Sequence, residues 1–325
     1  MVGIMRLSVA LCTYNGEQYL AEQLDSLAAQ TRPPDELVAC DDHSTDRTPD
    51  IIRDFAARAP FPVHLHVNPD NVGSTRNFDR AVRLCRGEVI ALCDQDDVWH
   101  PLKLGRFEEV FSTDPSVGLV FTDAEVVDES LRPTGARLWD ATFDPEERRL
   151  MKEGRAFDVL AQHNVVTGAT MAFRSRLRDV ALPIPDSDAF IHDGWIALTV
   201  AAVSRVEALA EPLVKYRQHA GQQIGVGAAG AARDGTPAAR ARYYAGEAEK
   251  LERLRERLLA ARGLDDGSLD SRVKRAGELA AHYRVRGGLL KTRRERLPLV
   301  LRELLTLRYH RYSKGLSSAA LDLLR

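Results

Sequence analysis

The stretch VIALCDQDDVWHP, Val89 to Pro101, sets a short apolar run directly against three carboxylates, Asp94, Asp96 and Asp97. An unbroken apolar run of this length reads as a buried strand, and the aspartates mark its carboxyl end. Carboxylates this close repel one another. The cluster therefore needs solvent, an arginine or a divalent cation beside it. The sequence before it repeats the arrangement. Leu7–Leu11 is an apolar run that opens onto Thr13-Tyr14-Asn15-Gly16, and Glu36–Cys40 is another that ends at Asp41-Asp42. Pro62–Val67 reads as a further strand, before a loop holding Asn68, Pro69, Asn71 and Gly73. Helical spacing fills the gaps: Leu20, Leu24 and Leu27 within Tyr19–Gln30, and Ile51, Ile52 and Phe55 within a capped Ser44–Ala59. Thr75–Cys85 follows the same pattern, as does Pro101–Phe111 with its proline in the first turn. Strands alternating with helices predict a parallel, doubly wound α/β sheet.

In an open α/β sheet, ligands bind outside the carboxyl ends of the strands. Thr13-Tyr14-Asn15, Asp41-Asp42 and Asp94 to Asp97 all fall at such ends, so the topology gathers them on one rim. Any one of them alone reads more readily as a solvated turn or a helix cap. Together they make a rim that would repel a nucleoside diphosphate unless a divalent cation bridged the two. A metal is therefore the expected counter-charge.

After a strand at Val117–Thr122 the alternation loosens. Gly168–Arg174 and Val206–Tyr216 read as strands, Phe157–Gln162 and Trp195–Val203 as helices. The run GVGAAGAARDG, Gly225–Gly235, reads as a linker. Beyond it, Ala238–Arg262 and Ser271–Leu324 are helical in composition, and no internal repeat is visible. The expected organisation is a catalytic body over residues 1–225, with a nucleotide half to about 97 and an acceptor half after it. Residues 226–325 would form the linker and a helical extension.

Composition fits an ordinary soluble globular protein: of 325 residues, 44% are hydrophobic and 28% charged, with a net charge of -2. That balance predicts no nucleic-acid partner. It hides an asymmetry, because Ser268–Arg325 holds 14 basic residues against 5 acidic ones. Cys12, Cys40, Cys85 and Cys93 lack zinc-ligand spacing and read as buried thiols, which favours a reducing cytoplasm. The opening MVGIMRLSVALCTYN lacks a signal-peptide layout, and no run reaches the roughly 18 apolar residues of a membrane span.

The blocks T-Y-N-G, D-D-H-S-T-D-R-T, N-V-G-S-T-R-N and D-Q-D-D, in this order, resemble inverting glycosyltransferases of family 2, which have the GT-A fold. I-H-D-G-W (Ile191–Trp195) and Y-R-Q-H (Tyr216–His219) look like the bacterial rhamnosyltransferase-like branch. The similarity covers roughly residues 6–225. It implies that Asp42 contacts the nucleobase of a nucleoside-diphosphate sugar, with Cys12, Thr13, Tyr14 and Arg76 lining the same pocket. Asp94 would face the ribose, Asp96 would ligate Mn²⁺ or Mg²⁺, and His219 would complete the metal or diphosphate site. Asp193 would be the catalytic base. Cys12 stands where many members have proline, and Gly194 where the branch often has an aromatic residue. The branch also implies dTDP-rhamnose as donor and a cell-surface polysaccharide or lipid-linked oligosaccharide as acceptor.

Such chemistry needs one carboxylate to take a proton and a cation to steady the departing diphosphate; no enzyme nucleophile is required. Taken without the resemblance, Asp193 reads as an N-cap of the helix from Trp195, Arg76 as a solvated helix-start residue, and His219 as a loop histidine. Gly168 either admits the acceptor closely or serves a turn. Trp195 reads as partly core, with a sugar-stacking role on the acceptor side. In the basic tail, LLKTRRERLPLVLRELL (Leu289–Leu305) mixes leucine with arginine, and Pro298 would break or kink a helix there. It reads either as a packed amphipathic helix or as a peripheral surface for anionic lipid at the inner face of the membrane. The competing enzyme is a sugar-nucleotide nucleotidyltransferase, for which T-Y-N-G is too short and uncharged. A dehydrogenase would need G-x-G-x-x-G after the first strand. An inactive sugar-nucleotide-binding scaffold is the non-enzymatic alternative, against which Asp94, Asp96 and Asp193 speak.

Overall fold

The computed structural model describes residues 5–186, 191–222, 236–261, 269–289 and 293–324. Backbone proximity divides these into two compact units, one of the described residues up to 222 and one of those from 236 onward.

In the first unit, β1 (Leu7–Thr13), β2 (Glu36–Asp41), β3 (Val63–Val67) and β4 (Val89–Cys93) pair in the order β3-β2-β1-β4, all parallel. Strands β1, β2 and β4 are buried along their whole length, which explains why they read as unbroken apolar runs. Leu20, Leu24 and Leu27 of α1 (Leu20–Ala28) share one core with Ile52 and Phe55 of α2 (Thr48–Ala56) and with Val9, Leu11 and Leu37 of the sheet. Helix α3 (Ser74–Leu84) packs on β1 and β2 and buries Phe78, Ala81 and Val82 outside that core. Helices therefore cover both faces, as a doubly wound sheet requires.

The second half of the sheet departs from simple alternation. Its strands are β5 (Val98–Trp99), β6 (Val117–Val127), β7 (Pro133–Arg137), β8 (Met171–Arg174) and β9 (Arg205–Arg217). The order continues β4-β8-β6-β9-β5, with β7 on β6. Strand β8 runs against both β4 and β6, while β6 and β9 are parallel. Residues Gly168–Thr170, expected to open this strand, form a one-turn 3₁₀ helix instead. Strand β5 has no signal in the sequence pattern, and it matters. It pairs Val98 and Trp99 with Lys215 and Val214, which draws the residues after β9 back beside the acidic cluster.

Helix boundaries also shift. The residues from Ser44 form a turn before α2, which has no side-chain N-cap but a proline in its first turn. Helix α4 (Lys103–Thr113) starts two residues after Pro101. The part of the first unit after residue 113 adds α5 (Leu138–Thr142), α6 (Pro145–Lys152), α7 (Ala156–Leu160), α8 (Arg178–Ala181) and α9 (His192–Ala201).

The second unit contains α10 (Pro237–Ala260) and α11 (Leu269–Gly287), which pack on each other, then α12 (Arg293–Leu305), α13 (Arg308–Tyr312) and α14 (Leu316–Leu324). Polar groups tie α11 to the later helices. Buried His282 lies 2.7 Å from Glu303 and 2.9 Å from the Ser313 hydroxyl, and Arg286 donates to Asp322 at 2.7 Å. Contrary to the expected break, α12 runs through Pro298. The proline is exposed, so the carbonyl it leaves without a donor can face solvent. The linker expected at Gly225–Gly235 lies outside the described residues. All four cysteines are buried free thiols. Among the described residues, no helix is long and apolar enough to cross a membrane.

Candidate active site

The first two strand ends spend much of their polarity on building loops. Asp41 accepts from the Thr13 hydroxyl at 2.8 Å and from the Ser44 amide and hydroxyl at 2.9 and 2.6 Å. Asp42 is buried and takes three donors: Asn68 Nδ2, the Val72 N–H and the Gly73 N–H, each at 2.8 Å. Gly73, with φ of 84°, makes that turn without Cβ strain. Cys12 and Thr13 are buried, and burial pushes the Cys12 thiol well up, so this wall presents backbone and the exposed Tyr14 ring. Arg76, in the first turn of α3, is exposed and pairs with Asp186.

The loop after β1 is clasped to the acidic cluster. Gln95 Oε1 accepts the Tyr14 N–H at 2.8 Å, and Gln95 Nε2 donates to the Tyr14 carbonyl at 3.0 Å. Its amide lies where a side chain at Gly16 would go: a Cβ there would meet Gln95 Oε1 at 2.2 Å.

Around the cluster, four carboxylates converge. Burial first, then the charges of Asp96 and Asp193, push Asp94 up to about 7, against a pull from Lys103 and the Ala169 N–H. Asp96 Oδ2 lies 2.9 Å from His219 Nε2. Asp97 is buried; the Arg217 N–H donates to one oxygen at 3.0 Å, while its other oxygen has no protein partner. Desolvation holds Asp97 far above the usual carboxylate range, helped by Asp96 and Asp94. Tyr216 sits in the field of all four carboxylates, and burial with those charges raises its phenol.

Two cations hold this cluster from behind, and sequence reasoning misses both. Lys103 is fully buried; its ammonium lies 3.3 Å from the Trp99 ring centroid and donates to the Ala169 carbonyl. Desolvation brings it down to about 7, although Cys93, Asp97 and Asp94 pull the other way. Arg217 is also buried. It donates to the Asp96 carbonyl at 2.7 Å and to the Glu129 carbonyl at 2.5 Å, pairs with Glu22 and stacks on Tyr19. Lysine is almost never fully buried, which is why composition gives no hint of Lys103. Arg217 lies in plain view within Y-R-Q-H.

Asp193 is not an N-cap. Helix α9 starts at His192 with Ile191 as its cap, so Asp193 sits inside the first turn, where its charge suits the helix dipole. Its oxygens accept from Asn164 Nδ2 and the Gly168 N–H, both at 3.2 Å, and from the Gly194 N–H. The absence of a side chain at 194 makes this possible, because a Cβ there would meet Asn164 Nδ2 at 3.0 Å. Gly168 serves the turn and allows close approach of α9, since a Cβ would meet His192 Nε2 at 2.8 Å. His192 stacks on Phe78 and, fully desolvated, falls to about 3. The acceptor-side role expected for Trp195 is corrected. The ring is 1% exposed and its indole N–H donates to the Ala181 carbonyl at 2.7 Å, which leaves no face for a sugar.

Thus the fold brings Asp94, Asp96, Asp193, Gly168 and His219 together, puts Asp42 and Arg76 on the neighbouring loop and α3, and buries Trp195. Among the described residues no three His, Cys, Asp or Glu side chains form a group that would hold a cation alone. Asp96 and His219 nevertheless suit Mg²⁺ or Mn²⁺ in part, since such ions take one or two protein ligands and fill the remainder with substrate oxygens and water.

The family model for glycosyl transferase family 2 matches residues 8–180, more than half of the chain. The chain belongs to glycosyl transferase family 2. An uncharacterized glycosyltransferase of Nostoc sp. is 31% identical over 221 residues, covering 66% of this chain and 65% of that protein. An uncharacterized protein of Mycobacterium tuberculosis is 31% identical over 218 residues, or 66% of this chain and 59% of that one. The matched region thus spans about 59–65% of the length of these relatives. The crystal structure of S. aureus TarS 1-349 in complex with UDP-GlcNAc superposes with a TM-score of 0.58 at 17% identity, covering 98% of this chain and 82% of that one. The likeness to TarS establishes the GT-A fold for this family 2 chain.

Proposed function

We propose that this protein is an inverting glycosyltransferase, moving a sugar from a nucleoside-diphosphate sugar to a hydroxyl of a cell-surface polysaccharide or lipid-linked oligosaccharide. The observation that carries the reading is the convergence of Asp193 on Asp94 and Asp96. A carboxylate on α9 beside a diphosphate-type rim supplies what a single in-line displacement needs. The acceptor hydroxyl gives its proton to Asp193, its oxygen forms the bond to the anomeric carbon, and the bond to the diphosphate oxygen breaks with the electron pair leaving on the phosphate. The Gly168 N–H and Asn164 hold the base in line. Asp42, Tyr14 and Arg76 would receive the nucleoside, and Asp94 the ribose.

Mn²⁺ or Mg²⁺, held by Asp96 and His219, would supply charge stabilisation of the leaving diphosphate. His219 Nδ1 accepts the Gly221 N–H at 3.2 Å, so Nε2 donates to Asp96 Oδ2 at 2.9 Å, and a cation held by the pair would take the place of that shared proton. dTDP-rhamnose is the donor proposed by branch resemblance.

Membrane contact through the tail belongs to the same reading. Helix α12 packs Val300 and Leu304 into the core of its own unit, while Leu297, Leu301 and Leu305 lie four residues apart and are exposed. Arg294, Arg302, Arg311 and Lys314 are exposed nearby, against Glu295 alone, since Glu303 and Asp322 are buried in internal pairs. An apolar stripe flanked by positive charge suits an anionic bilayer surface.

The test is a thermal-shift screen of sugar nucleotides with and without Mn²⁺, followed by transfer and donor-hydrolysis assays on the hits. A hundredfold excess over Kd should raise stability by about 2.7 kcal/mol. A folded protein that neither shifts with any nucleotide sugar nor releases nucleoside diphosphate would overturn the proposal.

A further inference from the structure

We infer that Lys103 is a positioning residue that sets the placement of the catalytic base relative to the donor-side carboxylate, acting through the Gly168–Thr170 turn. This rests on the proposed glycosyl transfer.

Among the described residues, this turn is a stretch of backbone that touches both sides of the reaction. Its Gly168 N–H donates to Asp193 at 3.2 Å. The next amide, Ala169 N–H, interacts with Asp94. The Ala169 carbonyl points the opposite way and accepts from Lys103 Nζ. Successive amides thus hold one carboxylate each, and the lysine grips the backbone beside them from behind. Within the turn, Thr170 donates to the Thr167 carbonyl at 2.8 Å, which stiffens it. Displacing the Ala169 carbonyl would therefore move two active-site carboxylates at once.

A merely structural lysine would be an odd choice. The amine is fully buried and lies over Trp99, 3.3 Å from its ring centroid, where an apolar side chain of similar length would fill the space. An apolar side chain there would avoid the desolvation cost of a buried amine. Something other than packing retains the amine, and its hydrogen bond goes to the turn. That bond needs only an N–H donor, so it persists whether the amine is charged or neutral. Lys103 also begins α4, whose Leu104 and Phe107 are anchored in the main core, so its stem has a rigid base.

The experiment compares wild type, Lys103→Met and Lys103→Ala. Lys103→Met should fold with a melting temperature near wild type and bind nucleoside diphosphate with little change. Its kcat should nevertheless fall by about 10²-fold, as expected when reacting groups are misplaced by about an ångström. Lys103→Ala should be partly restored by ethylamine or propylamine, and not by the alcohols of equal size. Crystal structures of wild type and Lys103→Met supply a readout independent of activity: the 168–170 turn should be displaced, with the Gly168 N–H out of hydrogen-bond reach of Asp193. A Lys103→Met protein with the turn in place and kcat unchanged would overturn the inference while leaving the transfer reaction intact. Equal reductions in kcat, donor affinity and melting temperature without amine rescue would also overturn it, in favour of a structural role. If wild type itself transfers no sugar, the functional reading fails, and the two crystal structures still decide whether Lys103 holds the turn.

Discussion

Replacing Asp193 by asparagine separates catalysis from architecture more sharply than any other single change. The shape is kept, and one oxygen remains to accept from Gly168 or Gly194. With that oxygen toward Gly168, the new amide group presents a donor to Asn164 Nδ2 and the Gly194 N–H; with it toward Gly194, the amide group faces the Gly168 N–H instead. Asn164 cannot simply flip, because its own oxygen accepts the Val166 N–H at 3.1 Å. The cost is the difference between charged and neutral hydrogen bonds plus a lost helix-dipole interaction, about 1–3 kcal/mol in total. A domain stable by about 5–15 kcal/mol tolerates that and stays folded. Loss of a general base costs about 10²–10⁴-fold in rate, or about 3–5 kcal/mol on the barrier. Turnover should therefore fall far more than the folded fraction. The assay is transfer at saturating donor and acceptor, with donor affinity measured by calorimetry and melting followed in parallel. Donor affinity within a few-fold of wild type is expected. Near-wild-type turnover would show that the base lies elsewhere and that Asp193 serves the helix start alone.

Three further outcomes are expected. Calorimetric titration with nucleoside diphosphate should lose most of its affinity with EDTA or in Asp96→Ala, and unchanged affinity in both would remove the metal assignment. In metal-free protein, Asp94, raised to about 7 from its usual value, favours the folded state when protonated, so its contribution declines as pH rises from about 4 to 7; Lys103, lowered to about 7, contributes stability that grows as pH rises from about 7 to 10.5. Denaturation midpoints across pH should lose the first limb in Asp94→Asn and the second in Lys103→Met, and parallel curves for all three proteins would contradict both assignments. Finally, sedimentation with vesicles containing phosphatidylglycerol should weaken in a Leu297→Ser, Leu301→Ser, Leu305→Ser variant and at high salt, with no binding to neutral vesicles; equal sedimentation of variant and wild type would show that this stripe does not bind the bilayer.

The local pattern announces the first half of the sheet because each strand there is a buried apolar run closed by polar residues, as at Cys93-Asp94 and Cys40-Asp41. It announces less of the second half. Strand β8 is four residues long and antiparallel, and nothing in MAFR states its direction. The carboxylates of the candidate site are readable as residue types. Their supports are not, because Lys103 meets Ala169 and Arg217 meets Asp96 across 66 and 121 positions of sequence. Such contacts exist only once β5 has paired with β9 and α4 has docked. Trp195 misleads for the opposite reason: a large amphipathic ring next to a catalytic motif fits a core or a sugar platform equally well until its burial is known.

The clasp between Gln95 and the Tyr14 peptide carries a consequence for how this chain can drift over generations. Gln95 occupies the volume that a side chain at position 16 would need, so a change at 16 pushes the Gln95 amide aside. A descendant that acquires alanine at 16 must swing that amide away or carry a shorter residue at 95, and either course gives up the bonds to Tyr14. The cost of drift is thus shared by two positions that lie 79 apart in sequence, neither of which is proposed to touch a reacting atom. Alanine at 16 and a shorter residue at 95 should each lose the same two bonds, so the second change costs little once the first has occurred.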